Sequence, residues 1–98
     1  MNSKLSRFHL ILNSEELVPA MAYRRNKVVF ELVSYVNCLL GCVLSGRRDV
    51  LPLWIQRCRA LLEQHPAQAD WAKYYAVVQD YIAEVEREFK FTAAELEL

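Results

Sequence analysis

VVFELVSYVNCLLGCVL, residues 28–44, decides the architecture. Only Glu31, Ser34, Asn37 and Gly41 fall outside the apolar set, at spacings of 3, 3 and 4. A helix through this run has one narrow polar stripe and is apolar over about two-thirds of its circumference, whereas a surface helix of a monomer needs an apolar stripe only a little over ~100° wide. Burial on more than one side is therefore expected, by the rest of the chain and by a second protein. Lipid is the competing cover. The run of 17 residues contains a Glu and an Asn, and a spanning helix needs about 20 predominantly apolar residues. Basic residues stand at both ends (Arg24, Arg25 and Lys27; Arg47 and Arg48), without the asymmetry that orients a membrane segment. No membrane association is expected.

Working outward, the long helix is predicted over residues 19–45, with Pro19 in its first turn, and Ser45-Gly46 ends it because glycine takes the left-handed cap conformation freely. Asp49 is a plausible N-cap for a second helix over 50–64, with Pro52 in its first turn. Leu51, Trp54, Ile55, Cys58, Leu61 and Leu62 give that helix a single apolar face. Pro66 ends it by disfavouring helical geometry at His65. A third helix is predicted over 66–90. Its apolar face runs from Trp71, Tyr74 and Tyr75 to Val85 and Phe89, while Lys73, Asp80, Glu84, Arg87 and Glu88 form a solvated face. Residues 1–13 are an arm of ambiguous period, because Leu5, Phe8 and Leu12 suit a helix and Phe8, Leu10 and Leu12 suit a strand. Asn13 with Glu16 reads as a capping box. The expected fold is all-α: a single domain, 1–98, forming an antiparallel helical hairpin bundle of three main helices, and dimeric.

Composition agrees. The 98 residues are 54% apolar, a surplus for a domain of this length. The net charge of zero conceals a split, +4 over residues 1–48 and −4 over 49–98. Disordered tails, collagen-like chains and disulfide miniproteins are excluded. The start, MNSKLSRFHLILN, lacks the continuous apolar stretch of a secretory signal. Cys38, Cys42 and Cys58 are odd in number and form no Cys-x-x-Cys, which suits a reducing cytoplasm and buried core thiols. No metal site and no cofactor are expected, since His9 and His65 have no ligand spacing with the cysteines.

Chemistry-bearing patterns are sparse. No phosphate loop, dinucleotide fingerprint or catalytic constellation is present, and no enzymatic activity is expected. Arg47, Arg48 and Arg57 are the candidate phosphate contacts of a nucleic-acid-binding alternative, although no recognition-helix pattern accompanies them and direct DNA binding is not favoured. Arg59-Ala-Leu-Leu-Glu-Gln-His65 resembles the Arg-x(4–6)-His signature of the HEPN helical ribonucleases, over 7 of the 98 residues and with Ala60 where that family usually has a polar residue. This is a second alternative. The preferred assignment is association, through Val28, Val29, Leu32, Val33, Tyr35, Val36, Leu39, Leu40 and Val43, because obligate interfaces resemble a core cut in half.

Taken as a whole, the helix PAMAYRRNKVVFELVSYVNCLLGCVL and the aromatic helix DWAKYYAVVQDYIAEV give a chain that is similar in size and architecture to the small bacterial antiactivators of LuxR-type quorum-sensing transcription factors. The resemblance implies a cytoplasmic homodimer that binds such a factor and blocks its dimerisation or DNA binding.

Overall fold

In a computed structural model, which describes residues 3–19, 22–66 and 69–96, every regular element is helical and no strand occurs among the described residues. The helices are α1 (Ser3–Leu12), α2 (Lys27–Ser45), α3 (Leu51–Gln64), α4 (Ala72–Phe89) and the short α5 (Ala93–Leu96), with 3-10 turns at Tyr23–Arg25 and Ala69–Trp71. Four helices exceed seven residues, where three were expected. The expected assignments at residues 1, 2, 20, 21, 67, 68, 97 and 98 lie outside the described residues.

The long helix holds the whole apolar run 28–44 but is shorter than the expected 19–45. Asn26 has an extended backbone (φ −112°, ψ 107°), and its Oδ1 accepts from the N–H groups of Val28 and Val29 at 3.1 and 3.2 Å. That is a side-chain N-cap, so α2 begins at Lys27 and Pro19 stands outside it. The other end is as expected. Gly46 is left-handed (φ 69°), its N–H bonds the Val43 carbonyl at 3.2 Å, and the Arg47 N–H bonds the Cys42 carbonyl at 2.9 Å. The pair forms a Schellman stop.

At α3 the cap is Val50, not Asp49, whose carboxylate instead accepts from the Arg47 guanidinium. Helix α4 begins at Ala72 rather than at Pro66, with Trp71 as its N-cap. An indole has no acceptor to cap with, and this one packs instead, 7% exposed and edge-on to Tyr74. Asn13 does not open a helix either. Its side-chain amide donates to the His9 carbonyl at 2.9 Å and closes α1. A capping box does occur further on, where the Thr92 hydroxyl accepts from Glu95 N–H and the Glu95 carboxylate accepts from Thr92 N–H at the start of α5.

The arm is helical because α4 covers it. Leu5 and Leu12 are buried while Leu10, needed inside by the strand alternative, is 77% exposed. Phe8 and His9 both rest on the fully buried Tyr81, and His9 Nε2 shares a 2.9 Å hydrogen bond with the Tyr81 hydroxyl. Burial lowers the His9 pKa and raises that of Tyr81, so the fold favours a neutral ring against a neutral phenol. Helix α2 packs on α3, α1 on α4, and α5 on α3. The Cα radius of gyration is 13.0 Å, the value of about 13 Å that a closed domain of 100 residues gives. One chain is compact by itself.

Candidate functional site

Helix α2 has two faces, and the chain uses one of them. Val29, Leu32, Val33, Val36, Leu39, Leu40 and Val43 point inward and are all buried, with Leu32 and Leu39 at 0% exposure. These are seven of the nine residues expected at an interface, and the rest of the same chain covers them. Of the remaining two, Tyr35 packs on Trp54 with ring centroids 5.9 Å apart and Val28 is half-buried. A partner cannot reach the inward arc while the subunit is folded.

The outward face was read in the sequence as a polar stripe. The structure gives it a different character. Phe30 (46% exposed) and Leu44 (62%) stand at its two ends, with Ser34, Asn37, Cys38, Gly41 and Ser45 between and beside them. The Ser34 hydroxyl donates to the Phe30 carbonyl at 2.9 Å, and the Ser45 hydroxyl donates to the Gly41 carbonyl at 2.8 Å. Both serines thus spend their donor protons on their own helix. A Cβ at Gly41 would meet nothing within 4 Å. Within α2, beyond Lys27, the one charged residue is Glu31, half-buried on the flank of this face. From Phe30 to Leu44 the crest of this face therefore carries no charged side chain, with Glu31 on its flank and Lys27 at its N-terminal end. Its Leu44 end borders a groove of about 480 Å³, lined by Leu5, Val43, Leu44, Phe89 and Glu88 with the Ser45-Gly46 turn. Its Phe30 end stacks on Tyr23, with rings 6.0 Å apart and 11° from parallel.

The arginines expected to meet phosphate have partners inside the chain. Arg47 pairs with Asp49 at 3.1 Å, and that hydrogen bond lowers the Asp49 pKa. Arg57 lies over the Trp54 ring, 4.9 Å from its centroid. Arg48 is a clamp. Its guanidinium donates to both Glu95 carboxylate oxygens (3.0 and 3.1 Å) and to the carbonyls of Phe89 and Lys90, and it lies 4.8 Å over the Phe91 ring. The reason lies at the end of α4: Lys90 takes a left-handed conformation (φ 51°), and the last carbonyls of a helix need donors from elsewhere. Hydrogen bonding to Arg48 holds the Glu95 carboxyl below its ordinary pKa.

In the ribonuclease-like heptapeptide, the Arg59 guanidinium is bound by the Glu86 carboxylate, and His65 is the exposed C-cap of α3. Neither is aimed at a shared cleft in the described residues. Glu84, expected on the solvated face, is only 5% exposed. It stands one turn beyond Tyr81, the residue on which α1 rests, and accepts from Arg87 at 3.0 Å. The cysteines divide: Cys58 is fully buried and burial pushes its thiol up to about 12, Cys42 is half-buried, and Cys38 is exposed. No cluster of three His, Cys, Asp or Glu that could hold a metal occurs among the described residues.

The described residues thus define an all-α protein whose most distinctive surface is the outward face of one helix. No family model matches the chain, and no curated protein or solved structure matches it. By length and composition alone α2 could cross a membrane, but its inward arc is the core of the subunit.

Proposed function

We propose that this chain is a non-catalytic regulator that acts in the cytoplasm by binding another protein, and that the partner docks on the outward face of α2. One observation carries the reading: a surface strip about 20 Å long at 1.5 Å per residue, from Phe30 to Leu44, has no charged side chain on its crest, has apolar side chains exposed at both ends, and has serine hydroxyls already bonded inward. Such a strip fits an amphipathic helix of a partner, whose apolar face would cover it. The resemblance to the antiactivators supplies the partner class, a LuxR-type transcription factor, whose dimerisation or DNA-binding surface the bound chain would occlude.

The test uses a purified LuxR-type activator on its labelled operator, titrated with the chain while anisotropy is followed. Release of DNA by the wild type, and at least tenfold weaker release by Leu44→Glu with unchanged circular dichroism, is the expected result. Equal potency of the two, or no release, would remove the docking face.

A further inference from the structure

We infer that the segment leading into α2 binds single-stranded nucleic acid, with Tyr23 and Phe30 as a stacking platform and Arg24, Arg25 and Lys27 as the phosphate contacts. This goes beyond the docking of a protein on the outward face of α2 and shares only Phe30 with it. The distribution of charge is the first support. Between Glu16 and Asp49 the chain holds Arg24, Arg25, Lys27, Arg47 and Arg48 against Glu31 alone. Arg47 and Arg48 are held by Asp49 and Glu95. Arg24, Arg25 and Lys27 are exposed and form no ion pair among the described residues. Glu31, one turn after Lys27 and half-buried, is the one acid on their own stretch of chain.

The backbone that carries these cations is fixed locally. Arg25 N–H donates to the Ala22 carbonyl and Asn26 N–H to the Tyr23 carbonyl, each at 3.2 Å, and Asn26 in turn caps α2. This turn folds Tyr23 back onto Phe30, with ring centroids 6.0 Å apart and planes 11° from parallel. Phe30 is 46% exposed, so the stack ends in solvent and a further planar ring can extend it. The Arg24 guanidinium lies over the Tyr23 ring, 5.9 Å from its centroid, which keeps a cation beside the rings.

Rings and cations together select the ligand. A nucleobase has a planar π-face to lengthen the stack, and its phosphate lies within reach of a long cationic side chain. An acidic peptide would meet the cations and leave the rings without a role. An anionic bilayer would meet them too, but its hold scales with the apolar area inserted, and one exposed ring offers little. Duplex bases are already stacked on one another, so a duplex gains only the charge. Asn26 spends its side-chain oxygen on the helix cap, and stacking accepts any base, so binding is tolerant of sequence. Three phosphate contacts on a single strand give a slope of about −2 for log K against log salt, with a dissociation constant on the order of 10 μM.

Anisotropy of labelled oligouridylate and oligothymidylate, each about 12 nucleotides long, tests the site when the full chain is titrated in salt between about 50 and 200 mM. Binding with the slope of about −2 is expected. Phe30→Leu keeps an apolar side chain and removes the ring; it should weaken binding at least fivefold, the low end for loss of a stacked base, and leave the slope unchanged. Arg25→Gln and Lys27→Gln should each reduce the slope by about 0.7. Leu44→Glu, at the far end of α2, and Arg47→Gln should bind as the wild type does, and circular dichroism checks the fold of every variant. Preference for the uridylate or for the thymidylate assigns the strand as RNA or DNA. No binding at the lowest salt, a Phe30→Leu chain that binds like the wild type, or equal affinity for a duplex of the same length would each overturn the proposal. Displacement of the strand by polyglutamate at equal charge would overturn it in favour of an acidic peptide, and capture by phosphatidylserine vesicles without oligonucleotide binding in favour of lipid. Oligonucleotide binding that survives in Leu44→Glu while activator release is lost separates the two surfaces, and failure of either assay leaves the other reading standing.

Discussion

Replacing Tyr81 with Phe isolates the contact that holds α1 on the bundle. The ring is fully buried and touches Phe8 and His9, so its packing survives the change, and only the hydroxyl that bonds His9 Nε2 at 2.9 Å is lost. A neutral hydrogen bond contributes about 0.5–1.5 kcal/mol net, and stranding a buried partner costs about 1–3 kcal/mol. His9 is only half-buried, and water recovers part of its lost bond, which places Tyr81→Phe near the lower end, about 1–1.5 kcal/mol. For a domain of this length that lowers Tm by roughly 5–10 °C. Urea unfolding followed at 222 nm measures the loss, and a cycle with His9→Leu isolates the pair. Removing both partners leaves nothing polar stranded, so the double variant should be more stable than additivity predicts by about 1 kcal/mol. A Tyr81→Phe loss within about 0.3 kcal/mol, or strict additivity in the cycle, would refute the view that this bond docks α1.

Three other outcomes follow from burial and backbone geometry. Stability should fall as pH drops below about 6.5, because burial lowers the folded pKa of His9 and the unfolded chain takes up the proton first; the decline ends below the folded pKa, and the His9→Leu difference curve should contain it. Gly46→Ala, at φ 69°, should cost about 1–2 kcal/mol in a chemical melt, while Gly41→Ala, which meets open space within a helix, should stabilise the monomer by up to about 1 kcal/mol. In native buffer a maleimide should modify Cys38 first and leave Cys58, fully buried and with a thiol raised to about 12, unmodified until the chain unfolds; mass spectrometry of a time course reads the order.

Much of the fold was legible in the sequence because local signals and tertiary packing agree there. Gly46 ends α2, Pro52 sits in the first turn of α3, and the apolar period of α4 marks its buried residues. Elsewhere the deciding contact is remote. Residues 5–12 tie between two periods, and the tie is broken by Tyr81, 72 positions from His9. Arg48 looks like a phosphate ligand until the left-handed stop at Lys90 places α4's last carbonyls beside it. The start of α2 was readable in principle. Asn26 is a strong N-cap type, but residues 20–25, AMAYRR, contain no glycine or proline to break a helix, so that Pro19 is the more conspicuous boundary.

The apolar surplus of the composition also changes meaning once the two faces of α2 are separated. The residues that make the run conspicuously apolar are those the subunit consumes, which is why Val36, 1% exposed, is a poor place to probe association. A carboxylate there would be buried without a partner and would unfold the chain before it could report on any interface. The working surface instead lies in what looked like the solvated stripe. Ser34 and Ser45 count as polar on every scale, yet each has turned its proton back to its own helix, so covering them forfeits little hydration. Gly41 adds no side chain, and Phe30 and Leu44 supply exposed apolar area at the ends. A hydropathy stripe records which atoms a residue contains, whereas docking depends on which of those atoms still need water. On α2 the two measures diverge, and Leu44→Glu, rather than Val36→Asp, is the substitution that separates binding from folding.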